Sequence, residues 1–184
     1  LKQEEMDSGI QEFIIAYDGI VVVTHPSNNV KDLSMEQVKQ IFTGEITNWK
    51  EIGGKDLEIV VVSREDGSGS RDAFQEIVGY KSGQLIRNAI VASGNGNIKT
   101  TVANNKHAIG FISFEYVDDS ISTMNINGVE AKAENVLNGT YSLSRPFLFV
   151  HKENVPEAAQ AFMEFILTPE AQKIVEEAGA IPLI

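Results

Sequence analysis

Leu57-Glu58-Ile59-Val60-Val61-Val62-Ser63-Arg64-Glu65-Asp66-Gly67-Ser68-Gly69-Ser70-Arg71-Asp72-Ala73-Phe74-Gln75-Glu76-Ile77-Val78-Gly79 is the stretch that decides the fold. Its first part, Leu57 to Val62, is a short β-branched run, the pattern of a strand covered on both faces. Its last part places Ala73, Phe74, Ile77 and Val78 at helical spacing, with Gly79 as the stop. Between them lies a turn rich in glycine and serine. Strand, turn and helix in that order make one unit of an α/β sheet.

Outward from this unit the alternation continues. Phe13 to Tyr17 and Ile20 to Val23 read as strand segments broken at Asp18-Gly19, and His25 to Asn29 as a loop. Ser34 followed by Gln37 forms a capping box, and Met35, Val38, Ile41 and Phe42 share a face. Together with Gly44 they predict a helix over 34–43. A second amphipathic helix is expected over 84–91, then a turn at Gly94-Asn95-Gly96-Asn97 and a short helix over 98–103. Strands are expected at 109–114 and 122–126, with a tight turn at Asn127-Gly128. Pro146 makes 141–150 an extended edge or crossover. Helices from Pro156 to Leu167 and from Pro169 to just before Gly179 close the chain. The fold class is α/β with a substantially parallel sheet.

The turn carries the chemistry. A helix starting at Ser68 or Gly69 offers backbone N–H groups that lack intrahelical partners, at the positive end of its dipole. Gly67 and Gly69 admit a ligand close to the backbone, and the hydroxyls of Ser68 and Ser70 add donors. Arg64 can meet two oxygens of one oxyanion with its planar fork, and Asp66 is near enough in sequence to pair with it. The pattern suits a tetrahedral anion held without a metal or cofactor. It equally describes an ordinary capped turn between strand and helix, and these residues alone leave both readings open.

Other motifs fail on spacing. No Lys follows Gly67 or Gly69 as a P-loop requires, and Asp72 stands where a dinucleotide fingerprint needs its third glycine. Ser68 is flanked by Asp66 and Ser70 where a nucleophile elbow needs glycines. His25, His107 and His151 lack metal-ligand spacing and read as ordinary surface or loop histidines. Trp49 reads as a packing residue.

The 184 residues contain no Cys, 15 Lys+Arg and 26 Asp+Glu, a formal charge of -11. The missing thiols exclude disulfides, thiolate zinc sites and Cys nucleophiles. The acidic surface argues against nucleic-acid partners. It does not oppose a local anion site, because exposed charges are screened within about 10 Å. No apolar run approaches the ~18 residues of a membrane helix. The start at Leu1, inside a charged segment and without Met, points to a processed or truncated product.

Three further segments extend the pattern around the turn. Ile14-Ile15-Ala16-Tyr17-Asp18-Gly19-Ile20, Phe42-Thr43-Gly44-Glu45-Ile46-Thr47-Asn48-Trp49 and Tyr141-Ser142-Leu143-Ser144-Arg145-Pro146 stand in order with it. Ala108-Ile109-Gly110-Phe111 and Pro169 to Val175 complete the series. With these segments the chain resembles, along nearly its whole length, the phosphate-binding proteins of bacterial phosphate ABC transporters.

The resemblance implies a type 2 periplasmic-binding fold with two lobes joined by a hinge. Residues 22–140 would form the second lobe, and 1–21 with 141–184 would form part of the first. It implies phosphate binding by Arg64, Ser68, Gly69 and Ser70, with Asp66 partnering Arg64 and Gly67 shaping the turn. It further implies a monomer at the extracellular face or in the periplasm, secreted or lipid-anchored, that delivers phosphate to membrane permease subunits and is not an enzyme. The family carries an additional N-terminal stretch ahead of the position of Leu1, with further ligand groups, so the first lobe is expected to be incomplete here. The alternatives are a phosphate-ester hydrolase using Ser68 or Ser70, and a binder of another tetrahedral oxyanion.

Overall fold

A computed structural model describes residues 3–184; Leu1 and Lys2, where the chain was expected to open, lie outside the described residues. The helices are α1 (Gln3–Asp7), α2 (Met35–Thr43), α3 (Gly69–Val78), α4 (Gly94–Ala103), α5 (Ala133–Leu137), α6 (Glu157–Ile166) and α7 (Pro169–Glu177). The strands are β1 (Gln11–Thr24), β2 (Asp32–Leu33), β3 (Val60–Arg64), β4 (Ile90–Ala92), β5 (Ala108–Ser113), β6 (Ser122–Thr123), β7 (Asn125–Ile126) and β8 (Ser144–His151). The chain divides into two compact units, Gly19–Leu143 and the combination of residues 1–18 with Ser144–Ile184.

In the unit Gly19–Leu143 the strand order is β4-β3-β5-β1-β6. β3 runs parallel to β4 and β5, with Val62 opposite Ile90 and Val61 opposite Ile109. β1 is antiparallel to β5 and β6, so the sheet is mixed rather than substantially parallel. The reason is that β1 does not enter through a crossover helix; it arrives as one unbroken strand running through Asp18-Gly19. Val21, Val23, Val62, Ile98, Val102, Ala108, Ile112 and Ile121 form one buried cluster. Gly110 is what lets α4 lie close on β5. A Cβ there would sit 2.9 Å from Ile98 Cγ2 and 3.2 Å from Val102 Cγ2.

The capping box of α2 is present, with Gly44 in the left-handed conformation at its end. Asn127 and Gly128 both take positive φ, as a tight turn requires. Three expectations are corrected. No α-helix covers 84–91: Ile90 and Val91 instead pair with β3, and Ile86 N–H donates to Phe42 O at 2.9 Å. Pairing with β3 satisfies the backbone of Ile90 to Ala92, where an isolated helix of about two turns would be marginal. Gly94 to Asn97 is not a turn but the start of α4, anchored by Ile98 and Val102 in the core. The expected strand over 122–126 is split at buried Met124, with Ser122–Thr123 on β1 and Asn125–Ile126 on β2.

In the other unit β8 pairs with β1, and Tyr17 and Ile181 exchange backbone hydrogen bonds at 2.9 and 2.8 Å. Arg145 Nε and Nη2 both donate to the buried Asp18 Oδ2, at 3.0 and 2.9 Å. The Gln172 amide is buried and donates to Ile15 O and Ile166 O, while its Oε1 accepts from Leu183 N–H.

Candidate functional site

β3, β4 and β5 are parallel, so Arg64, Ala92 and Ser113 end their strands at the same edge of the sheet. Ligands of α/β sheets collect outside such carboxyl ends, where following helices begin. Two helices begin here, α3 after β3 and α4 after β4.

The turn between β3 and α3 is built around Gly67, whose φ of 81° no β-branched residue would accept without strain. Ser68 is the N-cap of α3. Its buried hydroxyl accepts the Arg71 N–H at 3.3 Å, and its carbonyl accepts the Asp72 N–H at 3.0 Å. Gly69 and Ser70 form the first turn above this cap, Gly69 exposed and Ser70 half-buried. The expected strand, glycine turn and helix are therefore all in place: Arg64 ends β3, Ser68 caps α3, and Gly69 and Ser70 open it.

Arg64 is held differently from the expectation. Its Nε donates to Glu65 Oε2 at 2.8 Å and its Nη2 to Glu65 Oε1 at 3.0 Å, a bidentate pair. Its Nη1 donates to Asn95 Oδ1 at 2.9 Å, in the first turn of α4. Asp66, expected to partner Arg64, instead takes Arg71 Nη1 at 2.7 Å. The same Arg71 nitrogen donates to Arg64 O at 3.1 Å. The geometry of the turn explains the exchange. Ahead of the left-handed Gly67, the Asp66 side chain stands 93% exposed, where Arg71 reaches back from α3.

Electrostatically the cluster is tightly matched. The hydrogen bonds from Arg64, reinforced by backbone N–H groups including that of Gly94 at 3.3 Å, hold the Glu65 carboxyl down at about 2. Asn95 Nδ2 in turn lies 3.4 Å from Ser113 Oγ at the end of β5. Glu65, Arg71, Asn95 and Ser113 escape the sequence reading. Glu65 adjoins Arg64, yet the sequence offers Asp66 as well, and Asn95 reads as a turn residue that only strand pairing brings to Arg64.

The remaining candidates lie elsewhere. Trp49 is buried and donates from Nε1 to His107 O at 3.1 Å. His107 itself precedes β5, at the opposite end of the parallel strands from Arg64, and its Nδ1 meets Glu58 O at 3.0 Å. His25 pairs with Ser27, and His151 with Lys152 O in the other unit. Among the described residues no three acidic, His or Cys side chains are grouped to hold a metal ion.

A mixed α/β sheet with helices starting at the carboxyl ends of its parallel strands sets the fold, and comparison with known proteins gives the class. The family description of the PBP superfamily domain matches residues 1–170. A phosphate ABC transporter substrate-binding protein from Clostridium perfringens, solved with bound phosphate, is 56% identical with a TM-score of 0.83. That match covers 100% of this chain and 76% of the solved one. An ABC-type phosphate transport receptor from Vibrio cholerae is 36% identical with a TM-score of 0.91, covering 98% of this chain and 76% of the other. The phosphate-binding protein PstS of Bacillus subtilis is 34% identical over 174 residues, 92% of this chain. The chain spans 56% of that relative's length. The chain belongs to the PBP superfamily, in the family of phosphate-binding proteins of ABC transporters.

Proposed function

We propose that this chain binds inorganic phosphate outside the cell, in the periplasm or at the extracellular face, and delivers it to the membrane permease subunits of an ABC transporter. The observation that carries the reading is the Arg64 to Ser70 segment. It is a guanidinium fixed at a strand end, in the segment that leads into a helix start capped by Ser68, in a chain 56% identical to a phosphate-bound relative. Such a site supplies charge-assisted and dipolar stabilisation to a tetrahedral anion without metal or cofactor. Arg64, Ser68, Gly69 and Ser70 are the ligand-binding residues of this reading; Gly67 shapes the turn, and Asp66 supports it by pairing with Arg71. The lobe carrying them is residues 22–140, and residues 1–21 with 141–184 belong to the other lobe. Among the described residues no helix is long and apolar enough to cross a membrane.

The protein in this reading is a monomeric binder and not an enzyme. The hydroxyl of Ser68 is engaged as a helix cap, and among the described residues no imidazole is bonded to it to act as general base. Calorimetry tests the proposal. Phosphate should bind the wild type, and Arg64→Ala should weaken it by about 100-fold or more, the loss of two charge-assisted hydrogen bonds of about 1.5–3 kcal/mol each. Competition by sulfate and molybdate reads the selectivity. Tighter binding of either anion than of phosphate, or turnover of a chromogenic phosphate ester lost on Ser68→Ala, would overturn the reading.

A further inference from the structure

The guanidinium of Arg64 has five N–H donors. Glu65 takes the Nε donor and one Nη2 donor, and Asn95 Oδ1 takes one Nη1 donor. Two donors remain, one on each terminal nitrogen. A pair divided in this way is what an end-on contact with two oxygens of a single oxyanion requires.

The two partners are themselves held. Gly94 N–H donates to Glu65 Oε2 at 3.3 Å, and Asn95 Nδ2 reaches Ser113 Oγ at 3.4 Å. The guanidinium plane is thus set from two sides, by a carboxylate ahead of α3 and by an amide in the first turn of α4. With its side chain only 12% exposed, Arg64 has little freedom to turn its fork elsewhere.

We propose that Glu65 and Asn95 are the positioning residues of the site, holding Arg64 so that one N–H of each terminal nitrogen faces the anion. This inference rests on the phosphate-binding reading and deepens it. It assigns to the residue directly after Arg64, and to a residue on a separate helix, the work that sequence pattern suggested for Asp66. The competing account is that Glu65 stands in the place of the anion and must be displaced by it. The two accounts predict opposite signs, because removing a positioning group weakens binding and removing a competitor tightens it.

The experiment combines phosphate calorimetry with the Arg64 Nε–H resonance in nitrogen-resolved NMR, on the wild-type chain, Glu65→Ala and Asn95→Ala. Arg64→Ala assigns the resonance and serves as the control without a fork. Glu65→Ala should weaken phosphate about tenfold and Asn95→Ala a few-fold, each a lost hydrogen bond to a charged group. In the wild type the Nε–H signal should be visible and protected from exchange without phosphate. In Glu65→Ala it should be lost to exchange and stay lost when phosphate saturates the site, because the anion meets only the terminal nitrogens; recovery on saturation would place the anion where Glu65 stood and overturn the positioning role. Unchanged or tighter phosphate binding by Glu65→Ala would overturn the positioning role while leaving the phosphate reading intact. Should Glu65→Ala fail to fold, unchanged affinity in Asn95→Ala would overturn the role of Asn95, and an unprotected wild-type Nε–H that of Glu65. If the wild type binds no phosphate although its Nε–H is protected, the binding reading itself fails and the pair is structural only.

Discussion

Phe42, Phe74 and Phe111 in the unit Gly19–Leu143 are fully buried, and Phe74 stacks on Phe111 at 4.1 Å between centroids. Phe147, Phe162 and Phe165, in the unit made of 1–18 and 144–184, stand exposed, and α6 has no buried residue at all. The buried apolar side chains of this second unit are Ala16, Ala171 and Ile181 among the described residues. Its order comes from polar stitching: the Gln172 amide, the Tyr17–Ile181 bridge and the Arg145–Asp18 pair. The difference teaches where precision resides. Arg64, Ser68 and Asn95 ride on elements packed against a dense aromatic and aliphatic core, the support a preorganised site needs. The other unit leaves unrealised the burial of several large side chains, each worth about 1.5–3 kcal/mol when complete.

The contrast is broken or sharpened most strongly by aromatic truncation. Phe111→Ala should destabilise Gly19–Leu143 by about 3–5 kcal/mol through lost transfer energy and a residual cavity. Phe162→Ala, half-exposed, should change stability by no more than about 0.5 kcal/mol. Denaturant titration of both variants checks the pair, and similar losses would abolish the distinction.

Next in size is Gln172→Ala. It leaves Ile15 O, Ile166 O and the Leu183 N–H without their side-chain partner, which should cost about 1–3 kcal/mol. Hydrogen exchange should rise in residues 3–18 and 144–184 and stay unchanged along β3 and β5. Exchange rising equally in both units would show that they open together.

The smallest effect is acid sensitivity in the site-bearing unit. Glu65 and Asp118 both have folded values lowered to about 2, by Arg64 and by Lys99 and Ser120 respectively. Lowered carboxyl values stabilise the folded state above the unfolded values, 4.5 and 3.8, and that stabilisation is lost as pH falls toward about 2. Both groups are surface carboxylates, so salt should blunt the effect. Acid titration of Glu65→Gln should show a shallower fall in stability below pH 4.5 than the wild type. An identical profile would place the acid sensitivity elsewhere.

Local chemistry made much of this legible in advance. Ser34 with Gln37, Gly44, Gly79, Pro169 and the Asn127-Gly128 turn act within a few residues, and each stands where its spacing placed it. The same holds for the turn from Arg64 to Ser70, because a strand end, a positive-φ glycine and a capping serine are all short-range devices.

What escaped depended on partners distant in sequence. Ile90 and Val91 carry a helical apolar pattern, yet β3 offers an open edge, and pairing there satisfies their backbone. The glycines at 94 and 96 look like a turn until Ile98 and Val102 find the core under α4. Asp66 and Glu65 are both plausible partners for Arg64 on paper. Tertiary structure chose Glu65, because Arg71 reaches back from α3 to claim Asp66 and α4 brings Asn95 to the far side of the guanidinium. By itself the sequence determined the short-range elements and the strand, glycine turn and capped helix from Arg64 to Ser70, since backbone preference and capping act over a turn of chain. Only the tertiary structure decided which carboxylate holds the arginine and which amide completes it, since those hydrogen bonds are competitions settled by packing among residues up to 31 apart.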